Sequence, residues 1–267
     1  MRIGAVTASF DPVTESEIRQ IRKICKENSL DRIILCAEKE GILPYKVRMA
    51  LLRKAVRPWR RLCTGEKISG LLGYTIDTRD EEKVREGHFS LCASGTRRYL
   101  LEHGLYFEEI ISARLKTSRA SHSMEVAKLC VRLAQAHGVD TRKAYQAGLM
   151  HDVTKNSSYE WNEAVMKRDY PVNLKYHPNV WHSFTAVTWL KEELGISDPE
   201  ILNAVYAHTL GNSNSKLAKI LYIADKTEPT RGWNSDKEVA LSMKDLTAGR
   251  DLVLKEAIEA MEKEKNV

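Results

Sequence analysis

The sequence predicts two architectures in one chain. An α/β unit with a small parallel sheet is expected over residues 1–112, and an all-α helical bundle over residues 113–267. Two observations carry this. The chain opens with a strand, a helix and a second strand, an order that implies parallel strands joined by a crossover helix. After Ile111 strand patterns nearly vanish, and apolar residues recur at helical spacing to the end.

The elements follow in order. "RIGAV" reads as a buried strand. "TESEIRQIRKICKEN" places Ile18, Ile21, Ile24 and Cys25 on one helix face, and "DRIILCA" is the second strand. "YKVRMALLRKAV" is a basic helix broken near Pro58. Residues 63–80 are glycine-rich and show no pattern. "GTRRYLLEHG" is a helix stopped at Gly104. In the second half, "SHSMEVAKLCVRLAQAHG" is a helix closed by Gly138. "DTRKAYQAGLMHD" is another, with Asp140 as its N-cap. "HSFTAVTWLKEELG", "SDPEILNAVYAHTLG", "SKLAKILYIAD" and "DLTAGRDLVLKEAIEAMEKEK" complete the bundle. The Ser-Asp-Pro opening of the second of these is a strong helix start.

Composition narrows the class. The 267 residues are 43% apolar, enough for a packed core. No apolar run reaches membrane-spanning length and no signal-peptide layout opens the chain, so no membrane association is expected. Five cysteines form no C-x-x-C pair, which suits reduced thiols and a cytoplasmic location rather than a disulfide framework. The net charge of +6 is uneven: residues 1–115 hold 21 Lys+Arg against 16 Asp+Glu. Much of the excess lies in "RKAVRPWRR", Arg53 to Arg61, a patch that can attract phosphate or nucleic acid or can simply be a solvated helix end.

Polar residues stand on apolar helix faces in the second half. His151 follows Ala147 by four residues and Ala144 by seven. His182 leads a stripe continued by Ala186, Trp189 and Leu190. His208 follows Val205 by three, and Asp225 follows Leu221 by four. His122 opens its helix. Such spacings share a helix face, so these groups point inward. A single inward imidazole is most often a hydrogen-bonded core residue. Four inward histidines and two aspartates, Asp152 and Asp225, converging from five helices, are satisfied together by one shared metal centre. His88, His103, His137 and His177 lack such placement and read as surface or loop residues.

His122, the adjacent pair His151-Asp152, and Asp225 resemble the HD phosphohydrolase superfamily. His182 and His208 stand between the pair and the last aspartate, as in members that bind two metals. "SHSMEVAKLCVRLAQAHGVDTRKAYQAGLMHDVTK", "HSFTAVTWLKEELGI" and "ILYIADKTEPTR" resemble the YqeK-type, symmetrical bis(5′-nucleosyl)-tetraphosphatase group over roughly residues 115–240. The resemblance implies hydrolysis of diadenosine tetraphosphate to two ADP at a two-iron centre. It places His122, His151, Asp152 and Asp225 on one metal, with Asp152 bridging to a second held by His182 and His208. Imidazole and carboxylate ligands suit iron, manganese or zinc. Two metals would lower the pKa of a bridging water and polarise the phosphoryl oxygens. Lys155, one helical turn past His151, is expected to meet the polyphosphate beside the catalytic Asp152. Arg231 is a phosphate contact or the partner of a carboxylate, and Thr209 supports His208 or caps locally.

"MRIGAVTASFDPVTESEI" resembles the start of the nicotinate-nucleotide adenylyltransferase family, a Rossmann-like nucleotidyltransferase fold, with its working parts exchanged. That family's Gly-Gly-Ser-Phe-Asp-Pro turn, followed by His-x-Gly-His, reads here as Thr7, Ala8, Ser9, Phe10, Asp11, Pro12, then Thr14, Ser16 and Glu17. The two histidines that stabilise the triphosphate are absent, and Glu17 would set a carboxylate against it. Thr14-x-x-Glu17 is instead a capping box. The first unit is therefore expected to be an inactive, shortened remnant serving as scaffold.

The leading expectation is a metal-dependent hydrolase of dinucleoside polyphosphates, with a small-molecule nucleotide substrate. A second reading is an HD phosphohydrolase of another nucleotide or alarmone. Adenylyl transfer by the first unit is a third, and non-catalytic nucleotide or RNA binding, motivated by the basic patch, is ranked last. A homodimer is compatible with the sequence.

Overall fold

A computed structural model of the chain describes residues 1–66 and 68–265. Two compact units emerge, Met1–His103 and Gly104–Val267. The first holds β1 (Ile3–Ala8), α1 (Glu15–Glu27), β2 (Arg32–Ala37), α2 (Tyr45–Val56), β3 (Leu62–Thr64), β4 (Leu72–Tyr74), α3 (Arg79–Arg85) and α4 (Arg97–His103). Its four strands are all parallel in the order β3-β2-β1-β4. Val6 lies between Leu35 of β2 and Tyr74 of β4, so β1 is covered on both edges and reads as an apolar run. The two short strands and α3 were not legible in residues 63–85, because three-residue strands are shorter than any alternation pattern.

The turn after β1 does what its composition suggests. Thr14 caps α1, taking the Glu17 amide at 3.3 Å, while the Glu17 carboxylate takes the Thr14 amide at 2.6 Å. Capping of this kind contributes about 1 kcal/mol. Glu17 is fully buried and meets Glu81, whose two oxygens each take the Ser9 hydroxyl at 2.8 Å. Burial, then the neighbouring Glu81, pushes the Glu17 carboxyl up to about 9. The expected repelling anion is thus a neutral acid at neutral pH. Arg48, also fully buried, donates to the carbonyls of Leu43, Ser9, Glu38 and Lys39 at 2.6–3.0 Å. Asp11 accepts from the Ile42 amide at 2.5 Å and the Leu43 amide at 3.3 Å. The carboxyl ends of β1 and β2, where α/β sheets hold their ligands, are here tied together by the chain's own groups.

The second unit holds α5 (Phe107–Arg114), α6 (Thr117–His137), α7 (Thr141–Met150), α8 (Tyr159–Asp169), α9 (Pro178–Trp189), α10 (Pro199–Ala207), α11 (Lys216–Thr227), α12 (Asp236–Lys244) and α13 (Leu246–Lys265). α9 continues into one π-helical turn, Leu190–Leu194, ended by Gly195 at φ +79°. α5, α8 and α12 are not legible in the sequence, because their faces mix polar and apolar residues. α5 packs on α6 and α7, which places it in this unit. The caps agree with the sequence: Asp140 accepts from the Arg142 and Lys143 amides, and Asp198 from those of Glu200 and Ile201. Gly138 ends α6 at φ +65°.

α11 is the centre of this bundle. Leu217, Ala218, Ile220, Leu221, Tyr222, Ile223 and Ala224 are all buried, so it is apolar nearly all round and packs on α6, α7, α10 and α13. α6 and α7 approach closely: a Cβ on Gly148 would lie 2.7 Å from the Ala127 Cα. Only glycine permits that contact, and it sets the end of α7 against α6. Behind α9, Met166, Trp181 and Phe184 pack with Tyr170, Tyr176 and Tyr206. Among the described residues no helix is long and apolar enough to cross a membrane.

Candidate metal centre

Five helices deliver six polar side chains to the bundle core. His122 comes from the second turn of α6, His151 is the C-cap of α7 with Asp152 following, His182 lies on α9, His208 is the C-cap of α10, and Asp225 ends the buried run of α11. All six are buried. The imidazoles form a chain: ring centroids lie 5.4 Å apart for His122–His151, 4.9 Å for His151–His208 and 5.1 Å for His182–His208.

Asp152 stands between two triads. Its Oδ2 is 3.7 Å from His151 Nε2, whereas its Oδ1 is 3.1 Å from His182 Nε2 and 3.6 Å from His208 Nε2. The ligand atoms of His122, His151 and Asp152 lie within 4.8 Å of one another, and so do those of Asp152, His182 and His208. Asp225 Oδ1 joins the first group, 3.1 Å from His122 Nε2 and 3.6 Å from His151 Nε2.

Three of the four rings are held with Nε2 towards this centre. His151 Nδ1 donates to the Gly148 carbonyl at 2.7 Å, and His208 Nδ1 to that of Val205 at 2.7 Å. His122 Nδ1 donates to Glu228 Oε1 at 2.8 Å. A carbonyl or carboxylate at Nδ1 fixes the proton there and leaves Nε2 as a lone pair, the arrangement in which histidines bind metals. His151 Nε2 is buried with no hydrogen-bond partner. Such an atom is costly unless it has a ligand to serve. This orphan, together with two carboxylates at 3.6–3.7 Å, fits a cation. The one nearby thiol, Cys130, is pushed up by burial and then by Asp225, so it stays protonated. The donor set is therefore nitrogen and oxygen, compatible with a divalent metal.

Burial pushes His151 down, but Asp152, then Asp225, outweigh it and raise it, so the imidazole shares the pocket with two anions as a cation would. Burial pushes the Asp152 carboxyl up, but His151, then His182 and His208, outweigh it and hold it well below the usual range. Asp225 is likewise held low, burial being overcome by Lys226, then His122 and His151. Burial pushes His208 down to about 4 and also lowers His182, so both are neutral, as ligation requires. Around the carboxylates stands a ring of cations. Arg119 reaches Asp152 at 3.1 Å; Lys226 and Arg231 reach Asp225 at 2.8 and 2.6 Å. Lys155 lies 3.2 Å from His182 Nδ1 and donates to the Asn179 carbonyl at 3.2 Å.

Of the residues singled out from sequence, the six inward His and Asp residues and Lys155 meet here. Arg231 pairs with the Asp225 carboxylate, the second of its two expected roles. Thr209 donates to Ser183 at 3.0 Å. Arg119, Lys226 and Glu228 were missed, although spacing could have found two of them: Arg119 precedes His122 by three residues on α6, and Glu228 follows Asp225 by three. Of the four histidines read as surface or loop, His177 caps α9 through the Asn179 amide, while His137 is half-buried against the Ser242 carbonyl at 2.6 Å.

A helical bundle with an adjacent His-Asp pair, its aspartate common to two ligand groups, defines an HD-domain phosphohydrolase, a metal-dependent class. The HD domain profile matches residues 119–230. The chain is 30% identical over 132 residues to a symmetrical bis(5′-nucleosyl)-tetraphosphatase of Bacillus subtilis, covering 48% of this chain and 71% of that one. It belongs to that family. A probable nicotinate-nucleotide adenylyltransferase/Ap4A hydrolase of Mycoplasma pneumoniae is 29% identical over 250 residues, which cover 89% of this chain and 65% of that protein. The chain thus spans just under two thirds of that relative. A solved HD superfamily hydrolase of Clostridium acetobutylicum, described as involved in NAD metabolism, superposes with a TM-score of 0.54 at 28% identity, over 60% of this chain and 87% of that one.

Proposed function

We propose that the second unit hydrolyses dinucleoside polyphosphates, diadenosine tetraphosphate above all, to two nucleoside diphosphates. The names of the Bacillus and Mycoplasma relatives support the substrate. The observation that carries the chemistry is the buried, partnerless Nε2 of His151 beside a carboxylate that faces both ligand groups. On this reading His122, His151, Asp152 and Asp225 hold one metal and Asp152, His182 and His208 a second, with iron first among iron, manganese and zinc. Bound there, the cations supply Lewis-acid chemistry, lowering the pKa of a water and drawing charge from phosphoryl oxygens.

The chain's own residues do the rest. Glu228 and the Gly148 and Val205 carbonyls hold the imidazoles in the ligating tautomer. Lys155 and Arg119 form a cationic rim that takes up the negative charge of a polyphosphate and orients it, while Arg231 holds the Asp225 carboxylate. Trp233, 46% exposed and two residues past Arg231, offers an indole face to a nucleobase. Water adds to one of the two central phosphorus atoms, the P–O bond bridging them breaks, and each half leaves as ADP. The first unit, lacking the triphosphate-stabilising histidines and tied across its strand ends by Arg48, is read as scaffold. The protein acts in the cytoplasm on this reading.

Purification without chelator, metal quantification and assay on diadenosine tetraphosphate with product identification test the proposal. Two ADP are expected. AMP plus ATP, or no turnover with full metal loading, overturns it.

A further inference from the structure

Of the basic stretch Arg53 to Arg61, Arg53, Lys54 and Arg57 lie at the end of α2, as a solvated helix end would, but Arg60 and Arg61 do not. Arg22, Lys23 and Lys26 from the last turns of α1 meet Trp59, Arg60 and Arg61, which lead into β3. Together with Cys25 and Leu62 they line an open cleft of about 510 Å³. The Leu62 end of β3 pairs with Ile33 near the start of β2, so the cleft lies at the amino end of the sheet, away from the Ser9–Arg48 ties. The Arg22 guanidinium carbon is 3.6 Å from the Trp59 ring centroid.

Charge is the first argument. Five cations line the cleft and no carboxylate does. Among the described residues only Lys23 of the five has an ion-pair partner, Glu27 at 3.8 Å. Two other exposed arginines of the same unit are ion-paired, Arg79 with Asp77 at 2.5 Å and Arg98 with Glu102 at 2.6 Å. The helix dipole accounts for Lys26 in the last turn of α1. It does not account for Arg60 and Arg61, which lie outside any helix. Like charges gathered in a concavity raise the local potential and draw in an anion.

Shape and chemistry narrow the anion. The cleft has the volume of a site for one or two nucleotide units and is concave, so it does not suit a duplex, whose grooves are read by protruding elements. A half-buried indole with a guanidinium over its ring offers flat surfaces for unpaired bases, flanked by cations for the phosphates. That combination is how single strands are held without sequence preference. We propose that this cleft binds single-stranded nucleic acid, with Trp59 and Arg22 stacking bases and Lys23, Lys26, Arg60 and Arg61 contacting the backbone. None of these residues belongs to the metal centre, and the inference does not rest on the proposed hydrolysis.

Fluorescence anisotropy of the full chain with a labelled single-stranded RNA of about a dozen nucleotides tests it, titrated with salt from about 50 mM upward. Binding is expected, and Trp59→Leu is expected to weaken it about fivefold or more. The double variant Arg60→Glu, Arg61→Glu should weaken it more than tenfold and lower the salt slope by about 1.4. Lys26→Glu, on the exposed face of α1, should lower the slope by about 0.7 and serves if the double variant does not fold. Hydrolysis of diadenosine tetraphosphate should be unchanged in all three. Absence of binding at low salt, unchanged affinity in the variants, or full displacement of the RNA by tripolyphosphate at equal phosphate concentration overturns the proposal.

Discussion

His151 Nε2 lies 3.6 Å from Asp225 Oδ1, a separation too long for a hydrogen bond and right for two ligands of one ion. Ligand atoms about 2.1 Å from a shared cation sit about 3 to 4 Å from each other. The imidazole comes from the end of α7 and the carboxylate from the end of α11, so this distance is set by helix packing and not by local sequence.

His151→Ala should therefore act on metal binding before it acts on folding. In wild-type protein, manganese at about a hundred times its dissociation constant should stabilise the fold by about 2.7 kcal/mol. The variant should lose most of that increment and its turnover, while circular dichroism stays near wild type. A variant that keeps both full metal content and full rate would remove His151 from the ligand set.

Glu228 orients His122 through the 2.8 Å bond to Nδ1. Glu228→Gln keeps the shape and weakens that bond, and a loss of about 10- to 100-fold in metal affinity or rate is expected. Isothermal titration with manganese reads the first and steady-state assay the second. Equal affinities would show that the ring is held by its neighbours alone.

Gly148→Ala places a methyl 2.7 Å from the Ala127 Cα and 3.1 Å from the Cys130 Sγ. The backbone contact has no flexible end to yield, so destabilisation of about 1–3 kcal/mol is expected. The same shift moves the His151 ring, so metal affinity should fall with stability. Urea unfolding followed by helicity measures the first; an unchanged midpoint would mean α6 and α7 part easily.

Glu17 ties stability of the first unit to pH. Unfolded, its carboxyl loses a proton near the ordinary 4.5; folded, burial and then Glu81 keep the proton until about 9. Between those values the folded state holds the extra proton, so this group's contribution is full below 4.5 and is lost as pH rises towards 9. Ser9, Thr14 and Arg85 also face the Glu17–Glu81 pair. Glu17→Gln, which stays neutral, should flatten the fall of melting temperature between pH 5 and 9. It should leave hydrolysis unaffected. An equally steep profile in the variant would place the titration elsewhere.

Much of the site was legible because helical spacing reports which face a residue shares with apolar neighbours. His182 with Ala186 and Trp189, and Asp225 with Leu221, declare themselves inward before any fold is known. The capping box of Thr14 and Glu17 is equally local, and it formed as read. The strands at residues 62–64 and 72–74 were not legible, since three residues carry no period and their pairing to β2 and β1 is made across the chain. The Glu17–Glu81 pair is not legible for the same reason: its partners stand 64 positions apart, and the Glu17 carboxyl is pushed up only once it is buried beside Glu81.

The sequence by itself determined which histidines and aspartates turn inward, the two-part architecture and the loss of the histidines that a nucleotidyl-transferring turn needs, because each is written in residue type and short-range spacing. Tertiary structure alone decided that Asp152 faces both triads, that Arg231 holds a carboxylate, that Glu228 orients His122, and that cations from α1 and the lead into β3 share one cleft. Those are angles and distances between helices and strands, fixed by contacts such as Gly148 against Ala127, and no periodicity along one segment encodes them.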